Sequence, residues 1–107
     1  MTTDRNLRRR KLEEFIASHL EDAFARYGLA MECAREGDND AALEHFRHLL
    51  DSHPDYVSGY FQYGQLLARL ARNDEARQIL AAGVSAARRS GDSHAADEMQ
   101  TTLDSLH

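Results

Sequence analysis

The sequence predicts an all-α protein built from antiparallel helical hairpins. Its 107 residues include 16 Ala and 13 Leu against two Val and two Ile, a composition rich in helix formers and poor in strand formers. Apolar residues recur at three- and four-residue steps in six segments. Only short connections separate these segments, so neighbouring helices are expected to pack as hairpins.

Each of the six predicted helices is bounded by local signals. Gly37 and Gly91 are typical helix-ending glycines, and the third helix must end before Pro54. Acidic and amide side chains at 38–40 and 73–75 are typical of helix starts, and Asp92 or Ser93 caps the last helix. The helices are predicted at about residues 5–19, 22–36, 39–53, 56–70, 73–89 and 92–107.

The inward faces follow from the spacing of the apolar residues within each segment. The residues predicted to face inward are Leu12, Phe15, Ile16 and Leu20 in the first helix, Leu29, Ala30 and Cys33 in the second, Leu43, Phe46, Leu49 and Leu50 in the third, and Ala96, Met99, Leu103 and Leu106 in the last.

A shift of 34 residues aligns the middle of the chain with itself. Small residues meet small residues where helices would cross closely, and an Asn-Asp pair recurs at a predicted helix start. The identities are Ala34 with Ala68, Arg35 with Arg69, Asn39 with Asn73, Asp40 with Asp74, and Ala42 with Ala76.

With this period, the chain resembles the tetratricopeptide repeat family of 34-residue helix-turn-helix units. The matching residues are Leu29, Ala30, Cys33, Ala42, Phe46 and Pro54 in one unit, and Tyr60, Tyr63, Gly64, Leu67, Ala76 and Leu80 in the next. Arg26 departs from the pattern, because a large apolar residue is expected there, and Gln100 stands where a small one is expected.

The resemblance implies a single domain, 1–107, that forms a short right-handed array. Residues 1–20 would be an N-terminal half-repeat, 23–56 and 57–90 two complete units, and 92–107 a C-terminal capping helix. The same resemblance implies a concave groove in which the first helix of each unit contacts a peptide. The expected groove residues are Phe24, Tyr27, Met31, Arg35, Ser58, Phe61, Gln65 and Arg69.

Two alternatives bear on this groove. Flanking helices could instead cover Phe24, Tyr27 and Met31. One subtype of the family grips a peptide carboxylate with Lys and Asn, but the single Lys of this chain, Lys11, lies far from the groove positions in sequence. The groove mixture of aromatic, Met and Arg side chains therefore indicates a peptide with apolar anchors and some acidic character.

No residue pattern indicates catalysis or a cofactor. The chain lacks a nucleophile elbow, a phosphate-binding loop and a dinucleotide-binding glycine pattern, so we expect no enzyme and no cofactor. His45, His48 and His53 lack completing ligands, so they are expected to be surface residues and not a metal site. Cys33 is expected to be a buried structural thiol.

Charge is unevenly distributed along the chain. The net charge is −5, yet Arg5, Arg8, Arg9, Arg10 and Lys11 cluster near the N-terminus. The simplest explanation is a solvated helix face whose positive charge balances the acidic remainder of the chain. A nucleic-acid-associated role is the weaker alternative, because no aromatic residue lies in this segment to stack on a base.

The sequence therefore predicts a non-enzymatic adaptor that binds a peptide or protein segment. The main alternative is a self-associating structural module, a homodimer through its end helices or its groove. We expect no membrane contact, and a single Cys fits a reducing, cytoplasmic location. Twelve Arg against one Lys suggests a GC-rich bacterial genome.

Overall fold

The computed structural model describes residues 4–106, with side chains from residue 7 onward, and contains six α-helices and no strand within that range. This confirms the predicted all-α class. The side chain of Arg5 and the predicted domain ends at residues 1 and 107 lie outside the described residues. The helices are α1 (Asp4–Ser18), α2 (Ala23–Arg35), α3 (Asn39–Ser52), α4 (Val57–Arg69), α5 (Asn73–Arg89) and α6 (Ser93–Ser105).

The helices form two compact units. The first unit ends at Ser52 and contains α1, α2 and α3; the second begins at His53 and contains α4, α5 and α6. Within the first unit, α2 packs against both α1 and α3. Within the second, α5 packs against both α4 and α6. The middle helix of each unit, α2 or α5, therefore packs against both of the other helices in that unit.

The core of the first unit lies between α2 and α3. Ala30, Cys33 and Ala42 are completely buried, as the sequence predicts. Their small side chains let the two helices approach closely, and the larger Phe46 and Leu49 fill the remaining space. Leu29 and Leu50 are also buried.

The α1 face is only partly buried, which corrects the predicted inward stripe. Ile16 is buried and Leu12 contacts the Gly28 position of α2, but Phe15 is 42% exposed and Leu20 is 62% exposed. The Phe15 ring stacks on His19, which directly follows the last residue of α1, with ring centroids 3.9 Å apart. Because α1 packs on α2 within its unit, only one side of the stripe is covered.

Two helix crossings in the second unit depend on glycine. A Cβ atom at Gly64 would lie 2.6 Å from Cγ of Leu80, and one at Gly83 would lie 2.6 Å from Cβ of Tyr60 and 2.5 Å from Sδ of Met99. Such distances leave no room for a side chain, so α5 approaches α4 and α6 at van der Waals contact. The close helix crossing expected where the repeat places small residues is confirmed at Gly64.

Three helices end in the left-handed conformation. Gly37, Gly91 and Ala71 have φ values of 83°, 75° and 61°, and each directly follows the C-cap residue of its helix. In each case the next amide donates a hydrogen bond to a carbonyl five residues earlier, as Arg72 does to Leu67. Glycine adopts this backbone freely, but Ala71 adopts it at a steric cost.

Acidic side chains cap three helices. Oδ1 of Asp22, Asp38 and Asp92 accepts a hydrogen bond from the amide three residues later. The recurring Asn-Asp pair stands at the start of α5, as predicted: α5 begins at Asn73, and Arg72 precedes it without a side-chain cap hydrogen bond. The Arg72 guanidinium instead donates to both Glu75 oxygens, at 2.8 and 2.9 Å.

The glycine crossings predict opposite effects for one substitution at two helical glycines. Gly64→Ala places a methyl group against buried Leu80 and should lower the free energy of unfolding by about 1–3 kcal/mol. Gly28→Ala meets only Leu12 methyl groups at 3.7 and 3.8 Å, so it should gain about 0.5–1 kcal/mol from helix propensity. Urea unfolding of both variants measures this difference, and equal effects would refute the assigned crossing.

The positive φ of Ala71 predicts a stabilising glycine. Ala71→Gly should raise the free energy of unfolding by about 1 kcal/mol, since it removes the clash of a Cβ atom in the left-handed conformation. Gly37→Ala, at the corresponding helix end, should lower it by a similar amount. Thermal unfolding of the two variants shows whether each change raises or lowers stability. A destabilised Ala71→Gly variant would contradict the strain argument.

Candidate functional site

The α2 residues predicted to line a groove form a stripe of graded exposure. Phe24 is 75% exposed, so the alternative that flanking helices cover it is wrong. Tyr27 and Met31 are partly buried, and the Tyr27 ring meets Phe46 edge-to-face with centroids 6.5 Å apart. Arg35 is exposed, and its guanidinium donates to Glu32. We call these residues the α2 stripe: Phe24, Tyr27, Met31 and Arg35.

The corresponding stripe on α4 lies beside a buried tyrosine. Tyr60 is 8% exposed, and its hydroxyl donates to the Pro54 carbonyl at 2.6 Å. The neighbouring Phe61 is only partly buried, which places the two aromatic rings on different faces of the helix. Ser58 and Arg69 are exposed and Gln65 is partly buried. We call these residues the α4 stripe: Ser58, Phe61, Gln65 and Arg69.

Each stripe can contact a ligand through a mixture of side chains. Each combines at least one accessible aromatic ring with an arginine in the last turn of its helix, and the α2 stripe adds a methionine. Accessible rings bury a large apolar area on contact, whereas guanidinium groups bind carboxylates. The two stripes belong to different units, and their joint use as one groove stays a prediction.

The basic N-terminal segment pairs with carboxylates of its own unit. Nη1 of Arg9 lies 3.0 Å from Oε2 of Glu36 and 3.1 Å from Oδ2 of Asp38, and Nη1 of Arg8 lies 3.1 Å from Oε1 of Glu32. The amide of Ala41 and the Arg9 guanidinium both lower the pKa of Asp38. Arg8 and Arg9 therefore balance negative charges of the acidic part of the chain, as the simplest explanation of the sequence predicts.

Glu32 is the residue of this network that the sequence analysis missed. Its side chain carries a carboxylate and is still only 2% exposed, because it lies three residues after Leu29 on the core side of α2. Its Oε1 accepts from both Arg8 and Arg35, at 3.1 and 2.8 Å. Two guanidinium groups on one carboxylate oxygen offset the desolvation of the charge. The signal in the sequence was a carboxylate one helical turn after Leu29 and directly before Cys33.

His45 also departs from the sequence analysis, which expected an exposed side chain. It is partly buried, and its Nδ1 lies 3.3 Å from Nη1 of Arg26. Burial and the adjacent Arg26 charge lower the pKa of His45. Arg26, which stands where the repeat pattern expects a large apolar residue, thus reaches α3 with its guanidinium.

The remaining chemistry-bearing side chains form no reactive cluster among the residues described. Cys33 is fully buried, as predicted, and burial raises the pKa of its thiol to about 11, so the thiolate is scarce at neutral pH. No group of three or more potential ligands around a metal position occurs within the described part of the chain. An open depression of about 480 Å³ lies at the α1–α2 turn, lined by residues 17–22.

The chain is similar to known proteins over most of its length. The family model described as tetratricopeptide repeat matches residues 34–97. A TPR repeat-containing protein of Pseudomonas aeruginosa is 33% identical over 97 residues, which cover 89% of this chain and 90% of that protein.

Solved structures agree with this similarity. A tetratricopeptide repeat domain protein of Salinibacter ruber is 36% identical to this chain, and its solution structure aligns with a TM-score of 0.74 over 77% of this chain and 83% of that one. A protein of Bordetella parapertussis is 29% identical, and its solution structure aligns with a TM-score of 0.77 over 97% of this chain and 87% of that one.

The ion pairs of the N-terminal helix predict that Arg9 contributes to stability and Arg10 does not. Arg9→Met leaves the largely buried Glu36 without this partner and should lower the free energy of unfolding by about 1–2 kcal/mol. The exposed Arg10→Met is the matched control and should change it by less than about 0.5 kcal/mol. Urea unfolding at low and high salt should show the Arg9 effect shrink with salt; a salt-independent loss would argue against an electrostatic origin.

Proposed function

Because the chain belongs to the tetratricopeptide repeat family, we propose that it is an adaptor that binds a peptide segment of another protein through the α2 and α4 stripes. Membership of this family supports a general role as a protein-protein interaction module. Proteins of the family are generally scaffolds without catalytic activity. None of the helices described is long and apolar enough to cross a membrane.

The observation that carries this proposal is the exposure of large apolar side chains on the first helices of the repeat. Phe24 is 75% exposed, and Phe61 is accessible beside the buried Tyr60. A large exposed ring adds nothing to the stability of the free chain, but it contributes strongly to binding when a partner buries it. Tyr27 and Phe61 stand one repeat apart, which gives the two stripes equivalent aromatic positions.

The charges of the stripes indicate the class of peptide. Arg35 and Arg69 occupy equivalent positions in the last turns of α2 and α4, and both are exposed. Guanidinium groups at these positions favour a ligand with carboxylates, because Arg pairs with them through two parallel hydrogen bonds. We therefore propose a peptide with apolar anchor residues and acidic residues near them.

Self-association through the end helices is the second candidate function. The observation that favours it is the incomplete burial of inward-facing positions in the first and last helices. Phe15 of α1 is 42% exposed and Leu103 of α6 is partly exposed. Another copy of the chain could cover both.

The proposal predicts that adjacent aromatic residues of α4 have separate roles. Phe61→Ala should weaken peptide binding about thirty-fold, since a truncated anchor loses about 2 kcal/mol, and should change the melting temperature little. Tyr60→Ala should instead lower the free energy of unfolding by about 3 kcal/mol, because the ring is buried. The measurement is calorimetric titration with a peptide selected on the wild-type chain from a random displayed library.

Arg47→Ala, an exposed change on α3 outside both stripes, is the control and should bind the selected peptide like the wild type. The proposal fails if Phe61→Ala binds as tightly as the wild type. It also fails if the library yields no peptide that depends on α2 or α4 stripe residues.

A further inference from the structure

The arginines at the ends of the α2 and α4 stripes have different surroundings. Nη2 of Arg35 lies 2.8 Å from Oε1 of Glu32, a carboxylate that is only 2% exposed. The 34-residue period places Leu66 at the Glu32 position of the second unit, and Leu66 is also 2% exposed. The buried position three residues before Arg69 is therefore apolar, and the second unit has no counterpart of the ion pair between Glu32 and Arg35.

Glu32 depends on the arginines that contact it. Its Oε1 accepts from Arg8 and Arg35, whereas its Oε2 is buried and accepts no hydrogen bond from the described residues. A buried carboxylate that loses a charged partner is strongly destabilised. A ligand that drew Arg35 away would leave Arg8 as the only donor to Glu32 in the described part of the chain. Binding of an acidic group at Arg35 is therefore opposed by a contact inside the protein.

Arg69 is not committed to a partner in this way. It is exposed, and it forms no ion pair with any residue that the structure describes. The acidic residues at the start of α5 already have partners, because Glu75 accepts from Arg72 and Asp74 accepts from Arg77. Arg69 can therefore bind the carboxylate of a ligand without breaking an ion pair within its unit.

Gln65 provides a second donor beside Arg69. The two residues are four apart on α4, so their side chains lie on the same face of the helix. Gln65 is partly buried, and among residues 7–106 nothing forms a hydrogen bond with its side-chain amide. The first unit has Met31 at this position, which offers no N–H group. A guanidinium and an amide on one face can together donate to both oxygens of a carboxylate.

We propose that Gln65 and Arg69 form the site that recognises an acidic side chain of the ligand, whereas the α2 stripe contributes mainly apolar contacts. This inference rests on the proposed peptide-binding function and assigns its charge preference to one of the two units. The acidic group is the side chain of an Asp or Glu in the bound segment. A free peptide C-terminus offers the same carboxylate chemistry, and the experiment below separates the two sources.

The α2 stripe has the accessible apolar surface for this division. Phe24 is 75% exposed, and Tyr27 and Met31 are only partly buried. Because Arg35 is paired with Glu32, these three side chains are the contacts that the stripe can make at no expense to an internal ion pair. They gain from contact with the apolar residues of a ligand, since such contact removes their surface from water.

The test uses a peptide selected on the wild-type chain from a random library displayed with neither terminus free. The peptide is synthesised with acetylated and amidated ends, each Asp or Glu is replaced in turn by Asn or Gln, and binding is measured by calorimetric titration. At least one replacement should weaken binding to the wild type about tenfold. Arg69→Gln should bind the acidic peptide and this replacement peptide with less than about a twofold difference. Gln65→Met should show an intermediate difference.

Arg35→Gln is the discriminating variant, because it changes the equivalent arginine of the first unit. It should keep the tenfold preference for the acidic peptide, whatever its overall affinity. It should also lower the urea midpoint of unfolding, since Glu32 loses a partner, whereas Arg69→Gln should leave that midpoint unchanged. Arg47→Gln removes an exposed charge on α3 outside both stripes; as the matched control, it should keep the wild-type midpoint and the wild-type preference.

The outcomes separate this inference from the function on which it rests. A preference that survives in Arg69→Gln or Gln65→Met, a preference lost in Arg35→Gln, or a peptide whose acidic residues can all be replaced without loss overturns the inference. So does a free peptide C-terminus that raises affinity through Arg69. If Phe61→Ala still weakens binding in these cases, the proposed function stands. If no displayed peptide depends on either stripe, the proposed function fails and the inference fails with it.

Discussion

The close approach of a small residue on one helix to a large residue on its hairpin partner is the constraint on which the rest of the structure depends. In the second unit, Gly64 accommodates Leu80 and Gly83 accommodates Tyr60 and Met99. These contacts fix the rotation of each helix about its axis, because a small rotation would bring backbone and side chain into overlap. Once α4 is fixed in this way, Tyr60 must point inward and Phe61 must be accessible. The exposed surface that we propose for binding is thus a consequence of the core.

Electrostatics has a separate role, which is to hold the N-terminal helix in the first unit. The apolar face of α1 is small, since Ile16 is buried but Phe15 and Leu20 are not. Ion pairs from Arg8 and Arg9 to carboxylates of α2 and the following turn supplement this limited burial. Such contacts weaken with salt, whereas the α2–α3 and α4–α5 cores do not depend on them. The first helix is therefore the part of the chain whose docking should respond most to ionic strength.

The sequence was sufficient to predict the helices and the core because both follow from local patterns. Spacing predicted that Leu29, Cys33 and Leu49 face inward, and glycines marked two of the three left-handed helix ends. The third is Ala71, which no turn-forming residue marks. The partial burial of Phe15 and the complete burial of Glu32 depend on which neighbour a helix has, and a spacing rule does not contain that information. For the same reason, the use of the two stripes as a binding surface stays a proposal, as does the ligand that they would bind.

A double-mutant cycle at Gly64 and Leu80 tests the central constraint most directly. Leu80→Ala alone should lower the free energy of unfolding by about 2–5 kcal/mol, because it leaves a cavity. In that background, Gly64→Ala should no longer be destabilising, since the methyl group enters the vacated space and helix propensity favours alanine. The account predicts a favourable coupling of at least about 1 kcal/mol between the two changes, measured by urea unfolding. If Gly64→Ala has the same effect with Leu80 and with Ala at that position, the helix crossing does not depend on this contact.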